Sequence, residues 1–192
     1  MPYDPNIHHR RSIRLHGYDY DQPGSYFVTI CTYEKRHVFG SIVNDEMYLN
    51  DAGQIVKNSW NSIPQRFPNI ELDEYIIMPN HLHGIITNNG ATNNAKFKSS
   101  NNPLNTHLSL LSQIIRTFKS VSTSQIRNIV MPDFSWQHNY YEHIIRQEKD
   151  LDHIRLYIAT NPAGWAQDTQ YCLDKDNDER NTRMDGLPSR AQ

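Results

Sequence analysis

Two runs suited to β-strands, Ile70 to Met78 and His81 to Ile86, are parted only by Pro79 and Asn80, and this spacing commits the middle of the chain to a hairpin. Its second limb carries the chemistry. Side chains alternate along a strand, so His81 and His83 are expected on one face, with Leu82 and Ile85 turned to the other. Two imidazoles so placed form a two-pronged ligand for a divalent cation, which needs a third donor from elsewhere in the fold. The same spacing also suits two half-buried strand histidines with no ligand at all. Spacing alone leaves both readings open.

A second region bears on the choice. The segment Trp136 to Arg146 is followed by Asp152 to Pro162, which reads as a helix that stops near Pro162. On that helix His153, Tyr157 and Asn161 recur at the helical spacing of one stripe. Leu151, Ile154 and Ile158 form a neighbouring stripe to bury against a sheet. A tyrosine one turn from a carboxamide offers a nucleophilic phenol and a third metal oxygen together.

These pieces carry a family resemblance. The His81-Leu82-His83 strand after Met78-Pro79-Asn80, the Trp136-Gln137 segment reaching Tyr140-Tyr141-Glu142-His143, and the Tyr157-Ile158 helix ending in Asn161-Pro162 together resemble the IS200-like single-tyrosine (Y1) transposases of the HUH nuclease superfamily. The REP-associated tyrosine transposases (RAYTs) are the most similar branch. The resemblance runs from about Ser12 to Trp165, in the expected order. It implies that His81 and His83 hold Mg²⁺ or Mn²⁺, that Asn161 completes the protein ligands, and that Tyr157 is the nucleophile. Many insertion-sequence members carry glutamine where Asn161 stands, and asparagine is the form associated with the RAYT branch. The resemblance further implies recognition of imperfect DNA hairpins and cleavage of adjacent single-stranded DNA. Tyr157 would keep the 5′ phosphate and release a 3′ hydroxyl, so that rejoining needs no ATP.

The residue types suit such chemistry. A phosphodiester is anionic and resists attack, and a cation on a non-bridging oxygen withdraws charge as the transition state forms. Neutral histidines and a carboxamide leave most of that cation's charge uncancelled. A phenol with a pKa near ~10 is a weak nucleophile unless a base or an electropositive site activates it. Among eleven tyrosines, Tyr157 stands out because its helix also supplies Asn161. Tyr140 and Tyr141 are adjacent in an expected strand beginning near Trp136. They must therefore face opposite ways, as packing aromatics or base-stacking platforms. His143, Glu142 and His153 read as structural or substrate-contacting groups.

Net charge of −2 and a pI near 6.5 give no basic excess. The distribution of charge matters more. From Tyr75 through Pro132 there is no Asp or Glu, while Lys96, Lys98, Arg116, Lys119 and Arg127 fall in that interval. Acidic residues gather in the tail, at Asp174, Asp176, Asp178, Glu179 and Asp185. One positive face can thus coexist with a slightly acidic whole, and binding to phosphates there weakens with salt. The expected DNA contacts are Arg10, Arg11 and Arg14 on one flank, and Lys96, Lys98, Arg116 and Lys119 on the other.

The remaining elements complete an α+β domain. Tyr26 to Tyr33 is a core strand, Met47 to Leu49 a short one, and Asn50 or Asp51 caps a helix running to about Ile63. Leu108, Leu111, Ile115 and Phe118 mark an amphipathic helix. The resemblance adds a ferredoxin-like, RRM-like antiparallel sheet with helices packed against it. Residues 1–170 are expected as a single domain with a mobile loop at 88–105 and a polar, disordered tail at 171–192. Cys31 and Cys172 suggest neither a disulfide framework nor a zinc knuckle. No apolar run approaches the ~20 residues of a membrane span, and no secretory segment opens the chain, so a cytoplasmic, nucleoid-associated location is expected. A homodimer and a monomer both stay open. So do two other functions: a domesticated repeat-DNA binder that no longer transposes, and a metal-dependent phosphodiester hydrolase in which Tyr157 is a spectator.

Overall fold

In the computed structural model the described residues are 15, 18–90 and 108–170, with side chains to 165. The β-branched and aromatic run Gly24–Cys31, β1, lies inside a four-stranded antiparallel sheet. On one side it pairs with β5 (His81–Asn88), and on the other with β6 (Tyr141–Ile145). The strand β4 (Ile70–Met78) forms the outer edge against β5, with Met78 opposite His81. The order is β4-β5-β1-β6. A helix α1 (Asp51–Asn61) and a short turn of helix α2 (Ile63–Arg66) stand between β1 and β4. A long helix α3 (Leu110–Ile129) stands between β5 and β6. This is the split βαβ arrangement of ferredoxin-like domains, as expected.

Local chemistry explains the boundaries. Asn50 caps α1, its side-chain oxygen accepting from the Gly53 N–H at 3.0 Å. The expected hairpin turn at Pro79-Asn80 is present, and its carbonyls are used. Pro79 O accepts from the Val38 and Phe39 N–H groups, and Asn80 O accepts from Thr32.

The two faces of the sheet are unequal. Val28, Ile30, Leu82 and Ile86 point to the side covered by α1 and α3, where Val56, Trp60, Leu111, Ile115 and Phe118 complete the main core. A Cβ on Gly84 would come within 2.5 Å of the Trp60 ring, so the histidine strand needs a glycine there for α1 to lie this close. The other face is covered by a last helix, α4 (Glu148–Thr160), through Ile154 and Ile158 packed on Phe27 and Ile85. The chain continues in a 3₁₀ segment, Asn161–Gln170.

Three expectations need correction or completion. Ile85 lies on the histidine face and not opposite it, because it is an even number of residues from His81 and His83 and packs with α4. The expected short strand is β3 (Glu46–Leu49), and it has an unanticipated partner, β2 (Gly40–Val43). Asn44 and Asp45 join them, both at positive φ, as a tight hairpin turn requires. The strand expected from Trp136 makes only one isolated bridge, to Thr32, and regular pairing starts at Tyr141. The intervening carbonyls of Gln137, His138 and Asn139 are taken by the Lys119 ammonium at 2.8, 3.3 and 2.9 Å. Tyr140 and Tyr141 do face opposite sides, one toward each core.

Of the expected loop, only Asn88–Gly90 fall among the described residues; the tail, Arg10, Arg11, Arg14, Lys96, Lys98 and Cys172 lie outside them. Cys31 is buried. Among the described residues no helix is long and apolar enough to cross a membrane.

Candidate active site

The first residues of β5 place both imidazoles on the face covered by α4, and burial is nearly complete: His81 is 1% exposed and His83 0%. Their Nε2 atoms lie 2.9 Å apart. The Tyr157 hydroxyl reaches the same spot, 3.2 Å from His83 Nε2. Its ring meets His83 edge-on at 5.2 Å and Phe27 edge-on at 6.1 Å, while Phe27 stacks on the His83 ring at 5.4 Å. A strand of period two and a helix of period 3.6 thus converge at one point.

Neighbouring hydrogen bonds assign the imidazole protons. Asn80 Nδ2 donates to the Lys35 carbonyl at 3.1 Å, which turns Oδ1 toward His81 Nδ1 at 2.7 Å. An amide oxygen only accepts, so His81 carries its proton on Nδ1 and presents a bare Nε2. Two bare nitrogens 2.9 Å apart would repel, so the His83 Nε2–H donates to His81. His83 Nδ1 then accepts from the Thr29 hydroxyl at 2.8 Å. Burial, with the neighbouring His81 adding to it, holds the His83 pKa well below the usual histidine range. That favours a neutral imidazole.

The donor set fits a divalent cation. Two ligands at right angles, each ~2.1 Å from an ion, stand about 3.0 Å apart, close to the observed separation. Asn161 sits at the end of α4, 5% exposed, and its side-chain oxygen is buried with no hydrogen-bond partner. A buried acceptor left in that state favours a ligand that would engage it. Among the described residues no group of three or more His, Cys, Asp or Glu could hold a metal, so a site here rests on two imidazoles and a carboxamide.

α4 is held over the histidines by a fork. Arg155 donates from Nε and one terminal nitrogen to the two oxygens of Asp73, at 3.0 and 2.6 Å. Asp73 lies on β4, where pairing with β5 is interrupted between Leu72 and Tyr75. Asp73 falls within that irregularity and its carboxylate meets α4.

The proposed DNA contacts divide. Arg116 is exposed on α3. Lys119 is half-buried and grips the Gln137–Asn139 turn; burial pushes its ammonium down to about 8 while three carbonyls solvate its charged form. It borders an open groove of about 580 Å³ lined by Ser120, Thr123, Ser124, Arg127 and the Ser135–His138 stretch. This groove starts at the sheet end that holds the histidines, since Cys31 is flanked by His81 on one side and accepts from Gln137 N on the other. Sequence reasoning did not single out Thr29, Trp165 or His37. Trp165 lies over His81, with ring centroids 6.1 Å apart, and 5.2 Å from His37.

Comparison with known proteins bears on the fold. No protein-family model matches the chain. A REP-associated tyrosine transposase bound to a REP hairpin superposes over 79% of this chain and 74% of that one, with a TM-score of 0.53 and 20% identity. A chain from Deinococcus radiodurans R1, named as a transposase candidate, aligns over 76% of this chain and 95% of that one at 15% identity and a TM-score of 0.44. The domain therefore has the fold of the REP-associated tyrosine transposases. An uncharacterized protein of Haemophilus influenzae is 46% identical over 178 residues, spanning 88% of this chain and 97% of that protein. The chain belongs to one family with it.

Proposed function

We propose that this protein is a DNA transposase of the single-tyrosine kind, which binds a DNA hairpin, cuts adjacent single-stranded DNA through a 5′-phosphotyrosine link, and can reverse that step. The meeting of the Tyr157 hydroxyl with the paired Nε2 atoms of His81 and His83 carries this reading. The shared fold with a transposase that binds a REP hairpin supports a hairpin as the partner.

His81, His83 and Asn161 would hold Mg²⁺ or Mn²⁺, which when bound draws charge from a non-bridging phosphate oxygen. The chain's own residues do the rest. Asn80 keeps His81 Nε2 bare for ligation. For His83 to ligate through Nε2, its proton moves to Nδ1, where the Thr29 oxygen is in place to accept it. Phe27 and His83 pack the Tyr157 ring from its edges and fix the direction of its hydroxyl. Tyr157 Oη forms the bond to phosphorus as the 3′ oxygen leaves with its electron pair, and the phenolic proton goes to solvent. A returning 3′ hydroxyl exchanges the same bonds in reverse, so bond energy is kept. Exposed Arg116 and the groove bearing Arg127 offer phosphate contacts leading away from the site.

The test is a covalent adduct. Incubated with hairpin DNA carrying a single-stranded flank and Mn²⁺, the protein should give a denaturation-resistant protein–DNA species, lost in Tyr157→Phe and in His83→Ala. Nicking without an adduct, unchanged in Tyr157→Phe, would make it a metal-dependent hydrolase. Tight binding with no cutting under any metal would make it a repeat-DNA binder.

A further inference from the structure

The histidine pair is closed off, 1% and 0% exposed, in a protein whose proposed substrate is a polymer that must bring a phosphate to it. What lies over His81 is the indole of Trp165, tilted 32° to the imidazole, a few residues beyond Asn161 on the same 3₁₀ segment. The indole also meets the ring of His37, which is exposed. The other tryptophans, Trp60 and Trp136, are core residues at 0% and 7% exposure, whereas Trp165 is half-buried.

The loop carrying His37 is built to hold still. Lys35 O accepts from Asn80 Nδ2, and the Val38 and Phe39 N–H groups both donate to Pro79 O. The residue that orients His81 therefore also anchors the backbone beside His37. An exposed imidazole resting on a half-buried indole, on a rigid loop at the rim of a phosphate site, is a surface that a planar base can take over. Every nucleobase has a π face, and stacking on an indole does not depend on its sequence.

Resting on the function proposed above, we propose that Trp165, covered at rest by His37, forms a stacking site for an unpaired nucleobase next to the phosphate to be cut. The base displaces the His37 imidazole from the indole, and the sugar–phosphate that follows is delivered to the histidine pair. A duplex cannot use the site, because its bases are already stacked on one another. This site thus selects single-stranded DNA at the point of cutting.

The test uses the full chain, in EDTA so that no cutting intrudes, and two DNA hairpins that differ only in the single-stranded flank: one with bases, one abasic. Tryptophan fluorescence should be quenched by the flank with bases and not by the abasic flank. Trp165→Phe should lose the quench and keep its affinity for the flank with bases. Trp165→Ala should bind that flank roughly 5- to 100-fold more weakly, and the abasic one unchanged. His37→Ala, at an exposed position that does not threaten folding, should tighten binding of the flank with bases alone. The stacking site is overturned if Trp165→Ala and His37→Ala bind both flanks as wild type does, or if the quench survives in Trp165→Phe. An adduct at Tyr157 that forms normally alongside either result leaves the transposase reading standing, whereas an absent adduct with a Trp165-dependent quench removes that reading and keeps the stacking site.

Discussion

At the scale of single residues, the site depends on where two protons sit. The Thr29 hydroxyl is the partner of His83 Nδ1 in either tautomer, donating when Nε2 carries the proton and accepting when it does not. Thr29→Val keeps the shape and removes both roles, leaving a buried nitrogen unpaired whenever His83 turns a bare Nε2 to an ion. Mn²⁺ affinity, measured by calorimetric titration, should fall about 10- to 100-fold, and Thr29→Ser should restore it. An unchanged affinity in Thr29→Val would show that the hydroxyl is only packing. The period of two put His81 and His83 on one strand face and the period of four put Tyr157 on one helix stripe with Asn161, while their roles came from the family resemblance. Thr29 was not legible in the sequence, since its role exists only through the register that sets β1 beside β5 across 54 residues. Trp165 and His37 were hidden for the same reason: no local pattern brings them to His81.

Among the elements, α4 does most to place Tyr157, the proposed nucleophile, and it is attached by little. The fork from Arg155 to Asp73 ties it to the edge strand β4, one turn or less from Tyr157. The guanidinium's hydrogen bonds hold the Asp73 carboxyl below its usual range, against a smaller opposing effect of burial. A carboxyl depressed in the folded state contributes its stability above the unfolded value of ~3.9 and loses it as pH falls through the folded value. The clamp is thus fully engaged at neutral pH and released in acid below that range. Arg155→Ala should slow adduct formation more than it weakens Mn²⁺ binding, because two of the three proposed ligands, His81 and His83, sit on β5 and keep their own partners while Asn161 alone rides on α4. Complete loss of metal binding in the same variant would mean that the histidine pair holds no ion without α4 seated. The helix and the hairpin strands were legible from periodicity and from Pro79 and Pro162. β2 and the late start of β6 were not: the first is short and pairs only with its hairpin neighbour, and the second is delayed by a lysine from another element claiming the carbonyls.

Across the whole molecule, the sheet separates a heavy layer from a light one. Beneath it, α1 and α3 share a core with Tyr26, Val28, Ile30, Leu82, Ile86, Trp60 and Phe118. Above it, the buried apolar contact of α4 comes down to Ile154 and Ile158 on Phe27 and Ile85. Apolar area removed from water scales with stability at roughly 25 cal/mol per Å², so the layer carrying Tyr157 is the one that opens at least cost. A closed histidine pair and a weakly held cover suit the proposed entry of a DNA strand. Hydrogen–deuterium exchange should therefore find the α4 amides exchanging well before those of α3 and β1, through local opening and not global unfolding. Adding Mn²⁺ and flanked hairpin DNA to Tyr157→Phe, which cannot trap the strand covalently, should slow exchange in α4 and leave α3 nearly unchanged. Equal protection of α3 and α4 in the free protein would mean that the upper layer is as firmly seated as the lower. Substrate would then have to reach the histidines by displacement of the Trp165 side chain alone.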